Sequence, residues 1–524
     1  MGSYRALVRR DTYRDSVELM RVAAQLEQLD GVTRAALLMG TPANRAIMAA
    51  AGLLQGDAES AGPNDLVVAV AASDEDAAQA AVVAAERLLA SQPAAAATGS
   101  GADRPPARTV AEAVAELPSA SLAIISTPGA YATAEALKAL KRGLHVFLFS
   151  DNVPAEDEIE LKQLGRQKGL LVMGPDCGTA ILDGVPLGFA NAVRRGRIGL
   201  AGASGTGLQQ VTCLIDRLGE GVSQAIGVGG HDLSEAVGGS MMLLGIERLA
   251  ADPDTNVIVL ISKPPAKRVA RRVLDAARAA RKPVVVNFLG GDPEQVRAAG
   301  AIPAATLEDA ARLAVEVARR LVPVGAETEA IDDSLRAAVE AAHAGLLPGQ
   351  RRVHGLYSGG TLCSEAGLIL GSLLPRDGFA VIDLGDDEYT VGRPHPMIDF
   401  RLRNEYVVAS AEDPKTAVIL LDVVLGYGSH PDPAGAIAPA IERATRIAAD
   451  AGRTLTFVAS VCGTEGDPQG LEVQEATLRT AGVLLAPSNA QAARLAARVV
   501  NGAPGCPDDQ SQAPVAAATS GGPA

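Results

Sequence analysis

Apolar positions in this 524-residue chain fall into short runs that alternate with stretches of helical period. SYRALVR, VTRAALLMG and DLVVAVAA read as strands. DSVELMRVAAQLEQL, TPANRAIMAAAG and DEDAAQAAVVAAERLLA read as helices, which predicts a small α/β domain over 1–90. SQPAAAATGSGADRPPA, residues 91–107, has no period and reads as a flexible linker. From 108 to 195 the runs SLAIIST, HVFLFS and LLVMG alternate with helices expected at 130–142 and 155–168, the rhythm of a parallel sheet. RIGLAGASGTG opens a further unit at 196, which runs through NVIVLIS and PVVVNFLGG to 322. A polar, helical connector over 323–350 leads to a third unit at 351–502, and the tail 503–524 reads as disordered.

The last two units repeat one another. Each sends a short strand into a Gly/Ser/Thr turn and an apolar helix: Ser204-Gly205-Thr206 in the first, Ser358-Gly359-Gly360-Thr361 in the second. Each follows with a buried strand, NVIVLIS or TAVILLDVV, and later with a Gly-Asp-Pro turn, Gly291-Asp292-Pro293 or Gly466-Asp467-Pro468. The same order over both segments indicates a duplication. The fold class is α/β, with several doubly wound parallel-sheet domains and a flavodoxin-like duplicated pair at the end.

Composition narrows the function. Hydrophobic residues make up 48% of the chain, which excludes wholesale disorder, and aromatic residues only 3%, with no tryptophan. A net charge of −14 without a long basic run excludes a nucleic-acid footprint. The five cysteines, Cys177, Cys213, Cys363, Cys462 and Cys506, form no CxxC pair and no zinc spacing. No stretch has signal-peptide character or the length of a membrane span, so the expected location is the cytoplasm.

An acidic chain that handles anions must hold them with local dipoles. The first N–H groups of a helix lack internal partners, and its macrodipole adds about half a positive charge there. Glycine lets the backbone approach, and Ser or Thr adds a hydroxyl donor. On this reasoning Ser204, Gly205, Thr206, Ser358, Gly359, Gly360 and Thr361 are candidate phosphate-binding residues, with ordinary N-capping as the plainer alternative. No Walker A lysine follows either turn, and GASGTG is out of register with GxGxxG.

Longer motifs carry a resemblance. FSDNVPAEDEIELKQLGRQKGLLVMGPDCGTAILDGVPLGFANAV, MGTPANRAIM and LGDDEYTVGRPHPMID resemble the FdrA family, itself similar to succinyl-CoA synthetase. GPDCG, ASGTG and GVGGHD resemble stretches of that enzyme's α subunit, and 351–502 resembles the C-terminal domain of its β subunit. The resemblance implies that 108–195 is a truncated CoA-binding-like Rossmann-type domain and that both turns face one phosphate site. It also exposes a loss. Where succinyl-CoA synthetase carries its relay histidine this chain reads Arg297-Ala298-Ala299-Gly300-Ala301, and no ATP-grasp portion is present.

The family implies a subunit of oxamate carbamoyltransferase, which converts oxalurate and phosphate to oxamate and carbamoyl phosphate in allantoin breakdown. That reaction requires no cofactor, inorganic phosphate being the co-substrate. It implies companion subunits, a possible homo-oligomer, and neither nucleic acid nor membrane as partner. The alternatives are an acyl-CoA synthetase working with a partner chain, with CoA or ATP, and a non-catalytic scaffold or anion-sensing subunit.

Lys263, just past NVIVLIS, is a candidate to balance anionic charge, or else a solvated loop lysine. Arg393 is a candidate clamp for a substrate carboxylate and His395 a proton shuttle. Their charged segment equally suits docking of a partner subunit, and its carboxylates match no metal motif, so no metal is expected. His231 beside Asp232 offers either a catalytic pair or a turn. Cys177 is expected to be packing.

Overall fold

A computed structural model of the chain describes residues 3–12, 14, 19, 22–23, 25–41, 44–45, 48–49, 51–91, 107–319, 333–390 and 394–502. Arg393, the tail 503–524, most of the linker and the start of the connector lie outside the described residues. The chain divides into two units, 1–106 with 387–394, and 107–386 with 395–524. Among the described residues no helix is long and apolar enough to cross a membrane.

In the first unit β1 (Ser3–Arg9), β2 (Val32–Met39) and β3 (Leu66–Ala72) form a sheet in the order β1-β3-β2. Both pairings are antiparallel, unlike the parallel sheets expected elsewhere in the chain. The central strand LVVAVAA is apolar on both faces because both are covered. Val68 and Val70 pack towards Leu89 of the helix Glu75–Ser91, and Val67 and Ala69 towards Met48 and Leu53.

The second unit opens with a parallel sheet of β4 (Leu122–Ile125), β5 (His145–Leu148) and β6 (Val172–Met173). The helices Gly129–Lys141 and Ala155–Lys168 connect them as the apolar pattern predicts. Next come β7 (Thr179–Leu182) and β8 (Val185–Gly188), an antiparallel hairpin. Sequence pattern places this hairpin before the boundary at 195. In the structure it pairs through Ile181 with the following sheet, and Ile181 is buried in that sheet's core.

That sheet contains β9 (Arg195–Ala203), β10 (Val222–Gly227), β11 (Val257–Ser262), β12 (Val284–Phe288) and β13 (Ile302–Pro303), in the order β13-β12-β11-β9-β10-β7-β8. The last sheet contains β14 (Arg352–Tyr357), β15 (Phe379–Asp383), β16 (Thr416–Val424), β17 (Thr456–Cys462) and β18 (Val483–Ala486), in the order β15-β14-β16-β17-β18. Numbered within their own halves, the parallel strands of both run 2-1-3-4-5. This is the flavodoxin-like order, and it agrees with the duplication read from sequence.

The halves share an interior. Leu208, Val211 and Leu214 of the helix Gly205–Arg217 and Leu362, Ala366 and Leu370 of the helix Gly360–Leu373 belong to one buried apolar cluster. Arg217 reinforces the contact by donating to the carbonyls of Val461 and Gly463. Asp467 adds another clasp, accepting from Asn191 Nδ2 and from the Ala192 amide. The two Gly-Asp-Pro turns therefore differ: Asp467 is buried, whereas Asp292 caps the helix Pro293–Ala298 at the surface.

Candidate functional site

In a doubly wound sheet the place where strand order reverses leaves a crevice beyond the strand ends, and ligands bind there. Here the reversal falls beside β9 and β11 in one half and beside β14 and β16 in the other. These strand ends carry the two glycine turns.

The turns meet. Ser204 Oγ and Thr361 Oγ1 lie 2.6 Å apart in a hydrogen bond, and a Cβ on Gly359 would sit 3.0 Å from Thr206 Oγ1. Ser204 caps its own helix, accepting from the Gly207 amide at 2.9 Å. The amides of Gly205 and Thr206 follow that cap at the first two helical positions, and Gly205 is only half-buried.

The second turn corrects one expectation. Ser358 and Gly359 are not free donors: the Ser358 amide, the Ser358 hydroxyl and the Gly359 amide all donate to the carboxylate of Asp422, at 2.9, 3.0 and 2.9 Å. Asp422 lies on β16, is fully buried, and is paired at 2.7 Å with Arg403, itself fully buried. An internal carboxylate thus takes up Ser358 and Gly359, two of the four residues of this turn that sequence reasoning assigned to phosphate. The signal was one acid in an otherwise apolar strand, TAVILLDVV.

Lys263 and His395 come to the same place. Lys263 Nζ would lie 3.6 Å from a Cβ on Gly360, and the same Cβ would collide with the Asp383 carboxylate. Asp383 Oδ1 accepts from the Gly385 amide at 3.0 Å. Burial is the main cause that raises Asp383 to about 6, against the pull of Lys263.

A Cβ on Gly385 would lie 2.7 Å from both His395 Nε2 and the Ser358 carbonyl oxygen. The Met397 amide donates to His395 Nδ1 at 3.2 Å, which puts the imidazole proton on Nε2. Burial lowers His395 to about 4, so near neutral pH the ring is an uncharged donor rather than a cation. Its ring packs on Phe189 with centroids 5.5 Å apart.

Other sequence candidates resolve differently. Asp232 is consumed by structure: it accepts from Lys162 at 3.0 Å and from the amides of Met241 and Met242 at the start of the helix Ser240–Ala251. The His231 side chain is 80% exposed and turns towards Glu158, so the pair is a turn with a buried ion cluster behind it. Cys177 is buried, and burial raises its thiol to about 12, in keeping with packing. Ala298, where a relay histidine would stand, is exposed at a helix end, and its carbonyl accepts from Arg278.

YahF of Escherichia coli (strain K12) is 42% identical over 517 residues, covering 94% of this chain and 98% of YahF. The chain belongs to the YahF family. Within this family member three family models match: "AllF, heavy metal-associated domain" at 1–106, "CoA binding domain" at 193–290 and "CoA-ligase" at 356–499. The last two fall on the duplicated halves. The succinate–CoA ligase [ADP-forming] subunit alpha-2 of Trichomonas vaginalis is 32% identical over 149 residues, 28% of this chain and 46% of that one. The malate–CoA ligase subunit alpha of Methylorubrum extorquens is 28% identical over 218 residues, 39% of this chain and 72% of that one. The YahF-family chain thus spans less than half of the Trichomonas relative.

A heavy-metal site does not fit the first unit of this YahF relative. Residues 1–106 contain no cysteine and no histidine, and of the soft thioether ligands Met39 and Met48 are buried in two separate apolar clusters. Among the described residues no group of three or more His, Cys, Asp or Glu side chains is placed to hold a metal ion.

Proposed function

We propose that this chain is an acyl-transfer subunit of the CoA-ligase type, acting with a partner chain, whose reacting anion sits where the two helix starts meet. The observation that supports it is the junction itself: duplicated 2-1-3-4-5 sheets whose turns touch through Ser204 and Thr361, with Lys263 alongside. The halves matched by the CoA-binding and CoA-ligase models supply those turns.

In this reading the amides of Gly205 and Thr206 and the Lys263 ammonium take the anionic oxygens, a positioning and electrostatic task. His395 donates through Nε2, and Asp383 exchanges a proton near neutral pH. CoA and nucleotide are substrates brought with the partner chain.

One observation favours a second reading. Alanine at 298 cannot carry a phosphoryl group, so a ligase relaying phosphate through this chain lacks its carrier. Direct attack of phosphate on the ureido carbonyl of oxalurate needs no carrier. It forms the P–O–C bond of carbamoyl phosphate and expels oxamate, whose nitrogen takes a proton. This is the oxamate carbamoyltransferase reaction implied by the FdrA resemblance.

Both readings place the anion at the first turn and differ in product. The chain is incubated with and without its neighbouring gene products, once with oxalurate and phosphate and once with succinate, CoA and ATP. Acyl-CoA with ADP supports the first reading, and carbamoyl phosphate the second. Absence of both products, with no effect of phosphate on melting, refutes the shared site.

A further inference from the structure

The duplication allows the two turns to be compared position by position. In the first half Gly202, two residues before the cap Ser204, pairs with Ile261 of β11. In the second half Tyr357 stands two residues before the cap Gly359, and the pairing of Leu356 with Leu421 brings Tyr357 level with Asp422 of β16. Ile261 and Asp422 thus hold the same place beneath their turns. A Cβ on Gly207 would touch the Ile261 methyl at 3.0 Å, so the first turn rests on hydrocarbon. The second rests on a carboxylate.

Burying a charge is costly unless it is paired and hydrogen-bonded throughout. Asp422 meets both conditions, with its three donors from Ser358 and Gly359 and with Arg403. Arg403 is committed to the same spot. Its Nη2 donates to Asp422 Oδ1 at 2.7 Å and to the carbonyls of Asp422 and Leu356, while its buried Nε and Nη1 have no partner. The buried Tyr357 hydroxyl also lacks one. The guanidinium cancels the carboxylate, so the pair leaves no net charge to attract an outside anion. The next residue of that turn, Gly360, faces a further acid, Asp383.

We propose that the duplicated turns have divided their roles: the second is closed from within by the Asp422 carboxylate, held there by Arg403, and an anion from solution meets only the first. The assignment of the first turn rests on the proposed function, whereas closure of the second does not. Asp422 and Arg403 are positioning residues. They fix the course of the second turn against Thr206 while keeping it from competing for ligand.

Amide exchange at single residues of the full-length wild-type chain, with and without sulfate, separates the two parts. Ser358 and Gly359 are expected to exchange more than about tenfold slower than Gly205 and Thr206 before sulfate is added, as buried bonded amides do. Sulfate is expected to slow Gly205 and Thr206 and to leave unchanged Ser358, Gly359 and the helix-start amides of Gly360 and Thr361, the counterparts of Gly205 and Thr206. Sulfate-dependent protection of any of Ser358, Gly359, Gly360 and Thr361, or fast exchange at Ser358 and Gly359 without it, overturns the proposal. Slow exchange at Ser358 and Gly359 with no sulfate response at either turn upholds the closure and removes the anion seat of the proposed function.

Asp422→Ala, purified in formate, gives a second measurement. Formate is expected to raise the variant's melting temperature and leave the wild type unmoved, because the small carboxylate refills the seat. A folded variant indifferent to formate counts against the proposal. If the variant does not fold, the wild-type exchange experiment decides alone.

Discussion

Glu365 lies in the helix that the second turn begins, and its side chain is buried at the seam with two other helices. Its carboxylate accepts from the Leu307 amide at 2.7 Å and from Asn489 Nδ2 at 2.8 Å, with no cation in direct contact. Burial is the leading cause that raises it to about 7. A glutamate raised in the folded state contributes stability that is full below its unfolded value and is lost as pH climbs through the folded one. At about 1.4 kcal/mol per pH unit, the rise from 4.5 to about 7 amounts to roughly 3 kcal/mol of penalty above neutrality.

Glu365→Gln removes that titration. The new amide keeps an oxygen for the Leu307 donor, but its NH2 faces Asn489 Nδ2, so Asn489 must turn its unpartnered Oδ1 inward at the expense of its bond to the Leu362 carbonyl. Allowing for imperfect rebonding, the variant is expected to be about 1–3 kcal/mol more stable than wild type at about pH 8 and equal or slightly weaker at about pH 5. At about 2 °C per kcal/mol for a domain of this size, melting should rise roughly 2–6 °C at the higher pH. Thermal melts of both proteins across that range provide the check. Parallel curves for variant and wild type refute the reasoning, because they would mean that Glu365 does not carry the pH dependence.

Asp383 predicts a pH effect at the site: sulfate, whose charge is constant in this range, should bind more tightly as pH falls through about 6 and the facing carboxylate loses its charge. Asp383→Asn should flatten that dependence in a calorimetric titration. Lys263→Ala should weaken sulfate binding about tenfold, the factor that 1.4 kcal/mol represents, without changing the melting temperature in sulfate-free buffer. Ser204→Ala removes a helix cap and the bond to Thr361 and should cost about 1–2 kcal/mol in urea unfolding. Lys162→Met strands the buried carboxylates of Glu158 and Asp232 and should cost about 3–5 kcal/mol by the same assay.

Much of the architecture was legible because strand and helix periods are local properties. NVIVLIS and TAVILLDVV could be read as buried parallel strands from their apolar runs, interrupted in the second by Asp422, and the repeat of turn, helix and strand revealed the duplication. Pairing partners were not legible. The hairpin at 179–188 borders both of its neighbours in sequence, and only three-dimensional packing sends Ile181 to the later sheet. At the site, sequence identified the residues that converge: Ser204, Thr206, Thr361, Lys263 and His395. It missed the occupant of the second turn because Asp422 lies 63 residues beyond Gly359, and no local rule links an acid on one strand to amides at the end of another. Arg403, to which sequence reasoning gave no role, is fully buried for the same long-range reason.

The single apolar interior shared by the helices Gly205–Arg217 and Gly360–Leu373 has a consequence for how this protein can be cut or evolve. A fragment ending in the connector would leave Leu208, Val211 and Leu214 facing water and would be expected to clump or to capture its missing sibling. The twins born of one ancestral gene segment have become obligate companions, and a change of girth on one side of the seam must be answered on the other.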